Sequence, residues 1–380
     1  MPHYVMSALS AVAYGGYSYF RNILPALSAV DTSNRYTILV KPQHADEMNV
    51  RADNFFFMSI PAAAYSAVKR TAWEQMALPR LLEKWGADVV YTANNVGILH
   101  CGIPVVIAVR NIEPFFYGLY RDTWKARARN RALYWLTLSS VRRAARVVAV
   151  SEFTKKVVSK ECSYADGKIR VIYHGRPIIE PEEDAASLIK KKHGLDGEYF
   201  LTNSKFVPYS NLHNLIEGYS IALRSRPDLP KLVLAGGDAS PIYKARVLAT
   251  IRRLGLDKKV ICVGLIPYSA NLALMKGAKL FLFPTMLEAC PNTLIEAMAM
   301  GCPVACSNLP PMPEIAGAGV RYFDPRDPDD IARLILSLAF LPRYEIQALT
   351  ATAAEQASMF SWEEAARRLI AVFKEAALEG

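Results

Sequence analysis

Two carboxylates, Glu288 and Glu296, stand with seven residues between them in the stretch PTMLEACPNTLIEAMAMGCP, residues 284–303. A strand-like apolar run, Lys279–Phe283, leads into it. The pattern places Glu288 in a loop and Glu296 in the first turns of a helix from about Thr293 to Met300. Asn292 is the expected cap, Gly301 the closing residue, and Pro303 follows. A helix N-terminus offers backbone N–H groups to an anion, and carboxylates on either side can accept from hydroxyls. A phosphorylated, polyhydroxylated ligand would suit such a site. Taken alone, the same residues also read as a buried helix with an accidental glutamate pair.

The elements that must hold this stretch alternate strand and helix along the whole chain. In the first half, strands are expected at Tyr4–Leu9, Tyr36–Val40, 88–91, Val105–Val109, Arg146–Ser151 and Ile169–Tyr173. A loop with Gly15 and Gly16 precedes a helix over about 19–27, and residues 63–85 look helical. Arg110 and Asn111 follow the continuous apolar run Val105–Val109, and ligands bind past the carboxyl ends of such strands in open α/β sheets. Residues 180–186 are acidic and loop-like, and the domain boundary is expected between about Pro177 and Glu198. The alternation then resumes with strands near 199–202, 231–235, 260–263, 280–283, 304–306 and 321–323. Helices are expected over 211–224, 241–254, 269–276, 329–340 and 361–377, with a short turn at 313–316. Two successive alternations imply an α/β protein with two Rossmann-like doubly wound domains facing a cleft. The expected extents are 1–180 and 195–357, with the last helix, within 358–380, crossing back to the first domain.

Composition narrows the function classes. The chain has 380 residues, 45 Lys+Arg against 35 Asp+Glu, and a net charge of +10. Residues 1–180 hold 23 Lys+Arg and 13 Asp+Glu, so the whole excess lies in the first half. A basic segment from Tyr117 to Arg146 interleaves Arg121, Lys125, Arg127, Arg129, Arg131, Arg142 and Arg143 with Tyr120, Trp124, Tyr134 and Trp135. It reads as a surface for an anionic membrane or as a solvated helix face; no nucleic-acid module accompanies it. No apolar run is long enough to span a bilayer, and no secretory signal pattern is present. The expected location is therefore cytoplasmic, and the membrane reading of the basic segment, where it holds, adds association with the inner face of the membrane. The six cysteines form no C-x-x-C pair and the six histidines are scattered, so no metal site is expected. The absence of G-x-G-x-x-G argues against a nicotinamide enzyme.

Phe283-Pro284-Thr285, Glu288, Pro291-Asn292-Thr293, Glu296-Ala297-Met298-Ala299 and Gly301-Cys302-Pro303-Val304 resemble the donor-site signature of family-4 (group 1) retaining glycosyltransferases of the GT-B fold. Pro313-Glu314-Ile315, Phe323-Asp324-Pro325, Phe360-Ser361-Trp362, Val150-Ser151-Glu152-Phe153 and Val171–Gly175 fit the family's order, so the resemblance covers nearly the whole chain. It implies transfer of a sugar from a nucleoside-diphosphate sugar, the co-substrate, to a glycan or lipid-linked acceptor, with no metal required. The first domain would bind the acceptor and the second the donor. Glu296 is similar to the glutamate on the ribose hydroxyls, and Glu288 to the one near the reacting sugar carbon. Backbone around Ala289, Cys290, Pro291, Asn292, Thr293 and Leu294 would meet sugar hydroxyls and diphosphate. Gly16, Asn111, Ser204, Ser210, Gly236 and Gly264 complete the donor-binding set, with Val263–Ile266 beside the base.

Two departures stand out. Relatives present an Arg and a Lys to the diphosphate, where this chain has Lys205 and Ser210. Lys205 keeps a point charge and Ser210 has none. Where many relatives have His-Asp, this chain has Arg110-Asn111, and Arg110 is a candidate for the missing cation. The catalytic candidates are thus Glu288, Lys205 and Arg110. The competing readings are a catalytically impaired nucleotide-sugar-binding protein and another enzyme of the same fold, such as a sugar-nucleotide epimerase.

Overall fold

The computed structural model describes residues 1–10, 14–44, 50–61, 66–119 and 123–379. Tyr120, Arg121 and residues 63–65 of the expected 63–85 helix lie outside the described residues. The chain divides into two compact units. The first comprises 1–117, 128–175 and 361–380, the second 118–127 and 176–360.

The first unit is built on seven parallel strands: β1 (His3–Ser7), β2 (Arg35–Val40), β3 (Phe55–Ser59), β4 (Val89–Thr92), β5 (Val105–Val109), β6 (Arg146–Ala149) and β7 (Ile169–Val171). Their order is β3-β2-β1-β4-β5-β6-β7. β3 has no counterpart in the expected strands. It pairs with β2 alone at the sheet edge, and Phe56 and Met58 are exposed, so no inside–outside alternation marks it. β1, β4 and β5 are buried at every position, which is why they read as continuous apolar runs.

Helices α1 (Tyr14–Val30), α2 (Ala67–Met76), α3 (Leu78–Lys84), α4 (Trp124–Arg143) and α5 (Glu152–Glu161) accompany these strands. The expected single helix over 63–85 is two, because Pro79 starts a new first turn in α3. Gly15 and Gly16 lie in the first turn of α1 rather than in a loop before it.

The second unit contains six parallel strands: β8 (Tyr199–Asn203), β9 (Lys231–Ala235), β10 (Val260–Gly264), β11 (Leu280–Phe283), β12 (Val304–Ser307) and β13 (Arg321–Phe323). The order is β10-β9-β8-β11-β12-β13. Its helices are α6 (Glu183–Lys192), α7 (Leu212–Ser225), α8 (Pro241–Arg253), α9 (Tyr268–Gly277), α10 (Asn292–Ala299), α11 (Met312–Ala316), α12 (Pro328–Ala339) and α13 (Arg343–Ser358). Residues 183–186, expected as loop, begin α6, whose acidic first turn suits the positive end of a helix dipole. The 313–316 turn is the short helix α11. The final helix, α14 (Trp362–Ala377), belongs to the first unit and packs on α1. Each sheet is thus the doubly wound Rossmann-like type expected from the alternation.

Candidate active site

In an open doubly wound sheet the crevice for a ligand opens where the strand order reverses. In the second unit that point lies between β8 and β11, which pair in parallel. Two loops leave it, 204–211 after β8 and 284–291 after β11. They carry Lys205 and Glu288, and α10 then carries Glu296. The backbone ties the loops together, since Met286 N–H donates to Tyr209 O at 2.7 Å. Asn211 fixes them further. Its left-handed backbone, φ 56°, starts α7 without a side-chain cap, and its Nδ2 instead donates to Pro284 O at 3.2 Å and Pro325 O at 2.6 Å.

Glu288 is half-buried in the 284–291 loop. Burial pushes its carboxyl up to about 7, against the Lys205 charge and a 3.3 Å hydrogen bond from Thr285 Oγ1 to its Oε1. Burial lowers the pKa of Lys205, and the Glu288 charge opposes that shift. The two groups are therefore electrostatic neighbours. Glu296 is also raised to about 7 by burial, opposed by the Tyr268 hydroxyl, which donates to its Oε1 at 3.1 Å. The second unit thus gathers three of the expected residues, Glu288, Glu296 and Lys205, beside one helix start.

That start differs from the expected one. Pro291, not Asn292, is the capping residue, and Asn292 is already helical. The Asn292 amide donates to Cys290 O at 3.0 Å and the Leu294 amide to Pro291 O at 3.0 Å, so the turn uses two of the amides expected to face a ligand. Ala289, Cys290 and Pro291 are buried, while Thr293 is half-exposed. Ser210 is 3% exposed in a short 3-10 turn, Pro208–Ser210.

The strand ends beside this site are laced by backbone. Ser204 N–H donates to Ala235 O at 3.0 Å, Phe206 N–H to Gly237 O at 3.0 Å, and Gly236 N–H to Gly264 O at 2.9 Å. Gly236 has φ 137°, and a Cβ there would stand 2.0 Å from Ser204 O, so only glycine fits. Ser204, Gly236 and Gly264 are therefore parts of a backbone junction. Tyr268 and Asn211 are absent from the residues expected at the site because their partners lie far along the chain; Thr285, three positions before Glu288, is a local neighbour whose role the sequence pattern does not mark.

Arg110 and Asn111 belong to the first unit. Arg110 Nη2 donates to Gly15 O at 2.6 Å and Nη1 to Ala93 O at 3.2 Å, and its guanidinium lies 4.0 Å from the Tyr19 ring centre. Its Nε faces His174 Nε2 at 3.4 Å. It thus clamps the first turn of α1, including the backbone just before Gly16, to the end of β4. Asn111 is exposed, and its backbone is held by Asn95, which bonds both its N–H and its carbonyl.

Residues 186–348 match the family model described as glycosyl transferases group 1, and residues 36–178 match Glycosyltransferase Family 4. The chain belongs to the group 1 glycosyl transferases. It is 24% identical over 340 residues to the serotype-specific mannosyltransferase WbdA of Escherichia coli, covering 84% of this chain and 41% of that one. The chain therefore spans about two fifths of the length of the curated relatives it first matches. The O-antigen chain mannosyltransferase B of Escherichia coli is 26% identical over 293 residues, 76% of this chain and 74% of that one. Among solved structures, a sucrose-phosphate synthase from Thermosynechococcus elongatus superposes with TM-score 0.76 at 16% identity over 100% of both chains. Anabaena Alr3699/HepE in complex with UDP-glucose gives 0.71 at 16% identity over 98% of each chain. These likenesses establish for this group 1 transferase the GT-B fold of paired Rossmann-like domains.

Proposed function

We propose that this protein transfers a sugar, a mannosyl residue by analogy with its relatives' names, from a nucleoside-diphosphate sugar to a glycan hydroxyl in surface polysaccharide assembly. The observation that carries this reading is the convergence of Glu288, Lys205 and Glu296 at the switch point of the second unit. Glu296 would accept from the ribose hydroxyls and Glu288 would contact the donor sugar. Lys205 would stabilise the departing diphosphate, the main electrostatic task in such a transfer. Transfer would proceed with anomeric retention on one face of the sugar, the leaving phosphate taking the acceptor proton. In this scheme the chain's own residues position and stabilise charge, and neither a protein nucleophile nor a metal is assigned.

The test is a thermal-shift screen of nucleoside-diphosphate sugars, GDP-mannose and UDP-glucose included, followed by kinetics with the stabilising donor. Glu296→Gln is expected to raise the donor KM, and Glu288→Gln to lower kcat with little change in KM. Unchanged kinetics in both would falsify the site. Ser210, buried where relatives present a lysine, favours one alternative: a nucleotide-sugar-binding protein with little turnover. Calorimetric binding without donor consumption would select it.

Contact with an anionic membrane is part of the same proposal and is assigned to α4. Among the described residues, no helix is long and apolar enough to cross a membrane.

A further inference from the structure

Glu296 carries its carboxylate at the end of a flexible side chain, and holding that chain in one rotamer costs entropy. Among the described residues Tyr268 supplies the hold, its hydroxyl donating to Oε1 at 3.1 Å. The same bond favours the ionised carboxylate, against the burial that raises it. Oε2 takes no hydrogen bond or ion pair among the described residues. An ionised carboxylate has about four lone-pair sites, so the phenol leaves most of them for a ligand's hydroxyls. Glu296 is half-buried, and an acceptor in that position is costly without a donor. A bond that served only to join α9 to α10 would not need the second oxygen left open.

Tyr268 is itself held on both sides. It opens α9 directly after Pro267, whose φ of −55° sets the entry to the helix. The Asn271 amide closes the first turn onto Pro267 O at 2.9 Å. Ser269 Oγ donates to Glu182 Oε2 at 2.8 Å, and Glu182 N–H to Ser269 O at 3.1 Å. The turn that carries the phenol is thereby fastened to the start of α6. On its other side β10 ends at Gly264, whose carbonyl takes the Gly236 N–H at 2.9 Å. Tyr268 therefore reaches Glu296 from the same backbone junction that borders the site.

We propose that Tyr268 is a positioning residue for donor recognition: its hydroxyl holds the Glu296 carboxylate toward the vicinal hydroxyls of a ribose, so that preference for ribonucleotides over their deoxy forms runs through it. Tyr268 acts through Glu296 and needs no contact of its own with the nucleotide. Ser269 and Glu182 in turn fix the turn from which it projects. The inference rests on the donor-site reading of Glu296 and adds to it the residue that makes the carboxylate selective.

The test is isothermal titration of the full-length chain with GDP and UDP and with their 2′,3′-dideoxy forms. The unmodified chain is expected to bind one ribonucleotide at least about tenfold more tightly than its dideoxy form. Tyr268→Phe, which removes only the hydroxyl, is expected to weaken the ribonucleotide about tenfold and to leave the dideoxy form within about twofold. In a Glu296→Gln background the same change is expected to cost less than about twofold, because the two residues act as one unit. An equal loss for both forms would make Tyr268 a structural tie between helices and overturn the proposal. So would an unchanged ribonucleotide affinity, or a full loss that persists in the Glu296→Gln background. Failure of the unmodified chain to bind either ribonucleotide overturns the donor reading and this proposal with it, whereas binding without ribose preference overturns the proposal and leaves the donor site standing. Thermal melts of the variants identify any loss of fold.

Discussion

Glu288 and Glu296 keep protons that exposed glutamates release near pH 4.3. Both carboxyls are held at about 7 in the folded chain. Between those values the native state binds more protons than the unfolded one, so these two groups make stability fall as pH rises through that window. The expected outcome is a melting temperature that drops from pH 5 to pH 8, by less in a Glu288→Gln/Glu296→Gln double variant. Identical profiles for the two proteins would mean the carboxyls are ionised throughout. The pair itself was legible because its chemistry sits inside one contiguous stretch. Its supports were not: Tyr268 reaches Glu296 across 28 positions, and Asn211 reaches Pro284 and Pro325 across 73 and 114. Nothing local in the sequence marks such pairs.

At the scale of elements, α4 carries Lys125, Arg127, Arg129, Arg131, Arg142 and Arg143 and no acidic side chain. Trp124 and Trp135 are 74% and 58% exposed, and eleven positions is about three helical turns, so both indoles share one face. Indoles and arginines on one face suit the interface of an anionic bilayer. Vesicles containing phosphatidylglycerol should sediment the protein and shift its tryptophan emission to the blue, in a salt-sensitive way, whereas phosphatidylcholine vesicles should not. An Arg131→Glu/Trp135→Ala variant that still sediments would remove α4 from that role. Strands buried on both faces and helices with one apolar stripe were readable from pattern. Helix α13 was missed for a physical reason: it packs through small residues, and a Cβ on Gly319 would stand 2.4 Å from the Ala353 Cα. Close backbone contact of that kind leaves no wide apolar stripe in the sequence.

At the scale of the molecule, the first unit is assembled from both ends of the chain. Phe373 of α14 is fully buried, with ring centres 5.0 Å from Tyr4 and 5.5 Å from Tyr91. Arg146 ties the same helix to β6 through Glu375 at 2.9 Å, and holds Glu379, just past the helix end, at 2.5 Å. Phe373→Ala is expected to cost about 3–5 kcal/mol, measured as a denaturant shift confined to the first unit. An unchanged midpoint would place α14 outside that unit's core. The helix brings a timing constraint to synthesis. A ribosome making about 5–20 residues per second needs roughly 10–40 s to pass residues 176–360 before α14 appears. The second unit can close during that interval. The first waits on its last helix with the aromatic side of its sheet covered only in part, by α1, which makes it the half of the nascent protein most in need of a chaperone.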